Sequence, residues 1–331
     1  MNENNKLYTH QRFVFMSFDP VHIGTGGYRL GRVDNTIVRE PGTNLPKIPG
    51  TSLAGAARSY AAMRYGKPEA AGRHKNFKGD KSKDPIIYTF GTATETDTET
   101  GGGQQGKISI GDAQILFFPV HSMAGPVWVS TKEILEEAGF QIETVDNVND
   151  ETAFTSLSWE KDNLNLGWLL LKIETGLEIT HADGINNANE WKAISSRIVL
   201  VSQGLFPQIV NSNLEVRTSV AIDPKTGAAE DKALFTYEAM PRATWLWCDI
   251  IEDDYFGAFP ETGKQFKQGN GENEHGEENA GESLEEKWEK PLDVVKSGLK
   301  LVEYLGVGGM GTRGFGRMKH ICDWEVVNDE S

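Results

Sequence analysis

A chain of 331 residues with 38% hydrophobic side chains can bury a sizeable core, either as two domains or as one core with large insertions. Its two cysteines, Cys248 and Cys322, lie far apart, which excludes a disulfide framework and a cysteine-rich zinc site and fits a reducing cytoplasm. The formal net charge of -15 argues against a nucleic-acid partner until its distribution is considered: residues 1–80 hold twelve Lys and Arg against six Asp and Glu, whereas residues 251–290 hold twelve Asp and Glu against four Lys.

The first residues, MNENNKLYTHQRF, lack an apolar signal core, and no apolar run approaches the roughly 20 residues of a membrane span. A cytoplasmic protein without membrane contact is expected. From Leu7 to Phe18 the near-alternation of β-favouring residues predicts a half-buried strand. Pro46 to Gly66 then predicts a loop feeding a helix, with Thr51 or Ser52 as N-cap, an Ala-rich body and Gly66 as the stop. Residues 67–107 are basic and then low in complexity, and are expected to form a mobile loop.

Strand composition returns at Ile108, and residues 131–195 form a mixed acidic insertion with a helix near Lys132 to Ala138. Residues 211–243 predict a long hairpin around the Asp223-Pro224-Lys225-Thr226-Gly227 turn. Trp245 and Trp247, two apart on a strand, share a face and read as core. Residues 259–290 are acidic and nearly free of apolar side chains, so a disordered insertion is expected. Pro291 opens a helix whose Leu292, Val295, Leu299 and Val302 recur on one face and which Gly306 stops; a final strand begins near Arg317.

Between that helix and that strand lies GGMGTRGFGRMKH, with a literal G-x-G-x-x-G at Gly309, Gly311 and Gly314. A dinucleotide fingerprint needs a strand before the glycines and a helix after them. The order here is reversed, which disfavours a dinucleotide-dependent enzyme. No Gly-x-Ser-x-Gly elbow, His-Glu-x-x-His helix or Gly-Lys-Ser/Thr phosphate loop is present either.

Three separated segments, VHIGTGGYRLGRVDNTIVREPGTNLPKIPGTSLAGAARS, VRTSVAIDPKTGAAEDKALFTYEAMP and GVGGMGTRGFGRM, together resemble the RAMP superfamily of CRISPR effector proteins, especially the repeated backbone subunit of type III complexes. ISIGDAQILFFPVHSMAGPVWVS looks most like the fourth Cmr subunit of type III-B, while the TSVAIDPKTGAA turn is similar to the Csm backbone subunit. The resemblance implies one α/β domain over residues 1–331. Its core would be RRM-like (ferredoxin-like), with large insertions forming palm and thumb and residues 211–243 as the thumb-like hairpin. It also implies the partners: crRNA, complementary target RNA, other copies of the chain in a head-to-tail filament, and other type III subunits.

By the same resemblance Asp34 is the catalytic candidate, acting with Mg²⁺ or another divalent ion on target RNA, whose 2′-OH is the nucleophile. Its alternative role is a turn aspartate capping backbone amides. His22 would orient RNA or move a proton, or simply satisfy its tight loop; Tyr237 and Glu238 would lie near the cleavage point, with support of the hairpin as the alternative role of Glu238. Lys47, Thr51, Ser52 and Arg58 surround a predicted helix N-terminus suited to phosphate. Arg39, Arg217, Gly308, Gly309, Gly311, Thr312, Arg313 and Gly314 complete the RNA-binding set. A noncatalytic scaffold in the same kind of complex is the alternative to an endoribonuclease.

Overall fold

A computed structural model describes residues 7–26, 33–72, 83–92, 103–143, 145, 148–181, 184–260 and 287–326. The low-complexity stretch 93–102 and positions 261–286 of the acidic insertion lie outside the described residues. In chain order the elements are β1 (Thr9–Ser17), α1 (Gly50–Arg64), α2 (Pro85–Phe90), β2 (Ile108–Ile110), β3 (Gln114–Ser122), β4 (Gly125–Ser130), α3 (Lys132–Glu137) and β5 (Phe140–Glu143). There follow β6 (Thr152–Thr155), β7 (Asn163–Leu166), β8 (Leu169–Thr175), β9 (Glu178–His181), α4 (Asn189–Ile194), β10 (Ile198–Leu200) and α5 (Phe206–Ser212). The chain closes with β11 (Glu215–Ile222), β12 (Ala229–Ala239), β13 (Trp245–Glu252), α6 (Pro291–Lys300), α7 (Val302–Leu305) and β14 (Met318–Glu325).

A large sheet runs in the order β14-β1-β13-β3-β4-β10-β6-β8-β7, with β2 also paired to β13. Its first four strands are mutually antiparallel: β1 lies between β14 and β13, and β13 pairs β3. Both faces of this half are covered, which is why β1 reads FVFM rather than as a clean alternation. Phe13 and Phe15 point to the layer of α1 and α6, where they meet Leu53, Leu292, Val295 and Leu299. Val14 and Met16 point the other way, to Phe117, Trp245 and Trp247 beneath Phe140 and Trp191.

The residue-131–195 insertion therefore supplies a second layer, as well as strands β6, β8 and β7 that extend the main sheet. Trp245 and Trp247 are core, as their spacing predicts.

The helix after Pro291 breaks at Leu301 into α6 and α7, and Gly306 ends it with φ 77°. Two expectations need correction. Neither Thr51 nor Ser52 caps α1: its N-cap is Pro49, without a side-chain cap, and the helix starts at Gly50. Within residues 67–107, the described positions 83–92 also carry a short helix not expected there: Asp84 caps α2 by accepting from the amides of Ile86 and Ile87. Ile86 and Ile87 then pack with Ala61, Trp288 and Val294 in a small core of their own. The physical reason is tertiary: two isoleucines suffice once α1 and α6 present an apolar face.

Candidate RNA-cleavage site

Three segments distant in sequence meet at the root of the β11–β12 hairpin. They are the loop between β1 and α1, residues 236–238 of β12, and the glycine loop before β14. Backbone pairing sets the register: Val21 bridges Met240, Asn35 bridges Tyr237, and the Gly316 amide donates to the Pro20 carbonyl at 2.9 Å.

Asp34 is fastened to β12. Its Oδ2 accepts from the Thr236 amide at 2.8 Å and from the Thr236 hydroxyl at 2.8 Å, and its own amide donates to that hydroxyl oxygen at 2.9 Å. The Thr236 amide, then its hydroxyl, hold the Asp34 carboxyl below the usual carboxylate range. Among the described residues no other side chain donates to Oδ1. Asp34 thus caps backbone as the alternative reading has it, but with one oxygen.

His22 is buried, and its Nδ1 lies 2.6 Å from the Glu238 carbonyl. A carbonyl only accepts, so Nδ1 carries the proton and Nε2 is left as an acceptor. Gly24 stands beside Nε2, where a Cβ would come within 3.0 Å. The ring meets Tyr237 and Phe315 edge-on.

Tyr237 accepts a 2.7 Å hydrogen bond at its hydroxyl from Arg313 of the glycine loop. Glu238 is buried and spent on structure: Oε1 pairs with Arg39 at 2.6 Å and Oε2 accepts from the Ile37 amide at 3.3 Å. Arg39 in turn donates to Asn211 at 2.9 Å and to the Ile37 carbonyl at 3.1 Å. Glu238 and Arg39 are braces of the loop that carries Asp34.

In the glycine loop, Gly308 (φ 85°) is required by protein packing, since a Cβ there would meet Ile23 at 2.3 Å and the His22 carbonyl at 2.8 Å. Gly308 is therefore a backbone crossing over the His22 segment, and it remains exposed. Gly309 and Gly314 do face open space, and Gly311, Thr312 and Arg313 form an exposed 3-10 turn. Arg217 lies over the Phe315 ring at 4.9 Å and pairs with Glu215.

The helix N-terminus is elsewhere and already occupied. The Gly50 amide donates to Asp112 at 2.7 Å, and Lys47 pairs with both Asp112 at 2.6 Å and Glu40 at 2.7 Å. Asp112 thus caps the first amide of α1 and neutralises Lys47, while Thr51 stays exposed. Arg58 donates to the Ala70 carbonyl at 3.0 Å; burial pushes its guanidinium pKa down, with Asp84 opposing. A cavity of about 490 Å³ lies on this side too, lined by Glu40, Lys47, Ile115, Ile134 and Phe206, and shares no wall with Asp34.

Among the described residues no three His, Cys, Asp or Glu side chains converge as a metal cage. One free carboxylate oxygen at Asp34 is the kind of ligand a hydrated divalent ion would take.

The sequence model of the RAMP superfamily matches residues 17–319, a span that includes all three converging segments. The chain belongs to the RAMP superfamily. Among curated RAMP relatives, it is 33% identical over 250 residues to the "CRISPR system Cmr endoribonuclease Cmr4" of Pyrococcus furiosus, covering 70% of this chain and 78% of that one. It is 32% identical over 95 residues to the "CRISPR system Cms endoribonuclease Csm3" of Enterococcus italicus, 28% of this chain and 40% of that one.

Two solved structures share the fold. The type III-B Cmr-beta complex bound to cognate target RNA contains a chain matched with TM-score 0.60 at 14% identity, over 96% of this chain and 99% of that one. Oligomeric Cmr4 from Pyrococcus furiosus is matched with TM-score 0.54 at 21% identity, over 97% and 99%.

Sequence reasoning missed Thr236. A threonine in a β-alternation carries no signal of its own, and its partner lies 202 positions away.

Proposed function

We propose that this RAMP protein is a backbone subunit of a type III CRISPR-Cas effector, of the III-B kind, that binds crRNA and cleaves complementary target RNA. The carrying observation is Asp34: a carboxylate locked by Thr236 with one oxygen free, on the β12 segment that also holds His22 and, through Tyr237, Arg313, in a chain 33% identical to a named endoribonuclease. The antiparallel order β14-β1-β13-β3, with α1 between β1 and β3 and α6 between β13 and β14, supports an RRM-like (ferredoxin-like) core.

Val216, Val220, Ile222 and Leu234 are exposed on the β11–β12 hairpin, which supports its reading as a thumb that wedges between nucleotides. Other copies in a filament, other type III subunits and a cytoplasmic setting complete the proposal. No described helix is long and apolar enough to cross a membrane.

In this reading the target's 2′-oxygen attacks the adjacent phosphorus, the P–O5′ bond breaks, and a 2′,3′-cyclic phosphate and a 5′-hydroxyl result. Nε2 of His22 can take or return a proton, because Nδ1–H is held by the Glu238 carbonyl. Arg313 adds positive charge for the phosphate, and its bond to Tyr237 fixes its direction. Asp34 would hold a divalent ion that stabilises charge developing on the phosphate oxygens.

Asp34→Ala in the reconstituted complex should abolish cleavage while target RNA still binds; undiminished cleavage would refute the assignment. The scaffold alternative draws on the absence of a metal cage among the described residues. It would prevail if the wild-type complex gave no Mg²⁺-dependent products.

A further inference from the structure

We propose that Thr236 is the positioning residue for the Asp34 carboxylate, so that the root of the β11–β12 hairpin aims the cleavage site; this rests on Asp34 being the cleavage carboxylate. Asp34 belongs to no regular element, and its placement must come from what holds it. The Thr236 hydroxyl both donates to Oδ2 and accepts from the Asp34 amide, which uses its one proton and fixes its rotor. Flanking backbone bonds lock the register, with the Asn35 amide on the Thr236 carbonyl at 3.0 Å and the Glu238 amide on the Asn35 carbonyl at 3.0 Å.

The next two residues of the strand hold the rest of the site: Tyr237 takes Arg313, and the Glu238 carbonyl takes His22 Nδ1. One strand segment therefore registers the carboxylate, the histidine and the arginine against one another. Two of these links pass through side-chain hydroxyls, of Tyr237 to Arg313 and of Thr236 to Asp34, and the second is the one that bears on the carboxylate. With Oδ2 pinned, Oδ1 is the oxygen presented to substrate. Loss of the hydroxyl leaves Oδ2 on the Thr236 amide alone and removes the tie to the Asp34 amide, which loosens the aim of the carboxylate; misaim of this kind costs rate while the RNA contacts stay in place.

The test uses the chain reconstituted with its partner subunits, guide RNA and complementary RNA. Single-turnover cleavage at saturating target and target affinity by gel shift are measured for wild type, Asp34→Ala, Thr236→Val and Thr236→Ser. Valine keeps the branched shape without the hydroxyl; serine keeps the hydroxyl. Thr236→Val should cleave roughly tenfold or more slowly at unchanged affinity, and Thr236→Ser within about twofold of wild type.

The proposal is overturned if Thr236→Val cleaves like wild type, if Thr236→Ser is as slow as Thr236→Val, or if affinity falls in step with rate. If Thr236→Val does not assemble, Thr236→Ala is compared with Thr236→Ser on the same terms. Wild-type cleavage by Asp34→Ala would overturn the Asp34 reading itself; an inactive Asp34→Ala beside an undiminished Thr236→Val would overturn this proposal alone.

Discussion

At the scale of single residues, the site is held by side chains that never need to touch RNA. Glu238 and Arg39 form a 2.6 Å ion pair with side-chain exposures of 12% and 19%, low enough that removing one partner strands the other. Glu238→Ala should therefore cost about 3 kcal/mol of stability, seen as a lower urea midpoint; an unchanged midpoint would show the pair to be dispensable. Gly308 combines φ 85° with backbone contact to His22, so Gly308→Ala should cost at least about 1 kcal/mol and disturb the His22 loop. Thermal unfolding measures the first effect, and a changed His22 imidazole NMR signal the second. His22 and Asp34 were legible from their motif setting. Thr236 was not, because a hydrogen bond between positions 202 apart leaves no mark on local sequence.

At the scale of elements, α6 lies on α1 backbone to backbone: a Cβ at Gly298 would fall 2.0 Å from the Ala57 carbonyl oxygen. Gly298→Ala removes flexibility from a helix, which usually stabilises, yet here the clash dominates. A loss of about 1–3 kcal/mol is expected, and an equal or higher melting temperature would contradict the packing described. The α6 stripe was readable because 3.6-residue periodicity survives in sequence, as Leu292, Val295 and Leu299 show. The N-terminus of α1 was misread for the opposite reason: Asp112 reaches it from 62 positions away and neutralises Lys47 as it does so.

At the scale of the whole molecule, carboxylates clamp the sheet and its layers. Burial pushes the Asp249 carboxyl up, but Arg12 and then His10 more than offset this, so it titrates below its ordinary range. Burial also opposes Asp323, where His320 and Lys296 prevail in the same direction. A depressed folded-state pKa contributes stability that is fully present above the unfolded value, about 3.9 for Asp, and lost as pH falls through the lower folded value. Urea midpoints should therefore drop with acidification below about pH 4, and Asp249→Asn should flatten that drop. An identical slope in the variant would remove Asp249 from the account.

What the sequence determined by itself was the family, the strands and helices of the core with the long hairpin, and the three segments that build the candidate site, because motifs and periodicities are local. Only the tertiary structure decided which charges remain open to a ligand. Lys47, Arg39 and Glu238 are consumed by partners within the protein, while Arg313 and one oxygen of Asp34 face outward. The physical reason is that a charge's availability depends on what the fold brings within about 3 Å of it, and those partners come from anywhere in the chain.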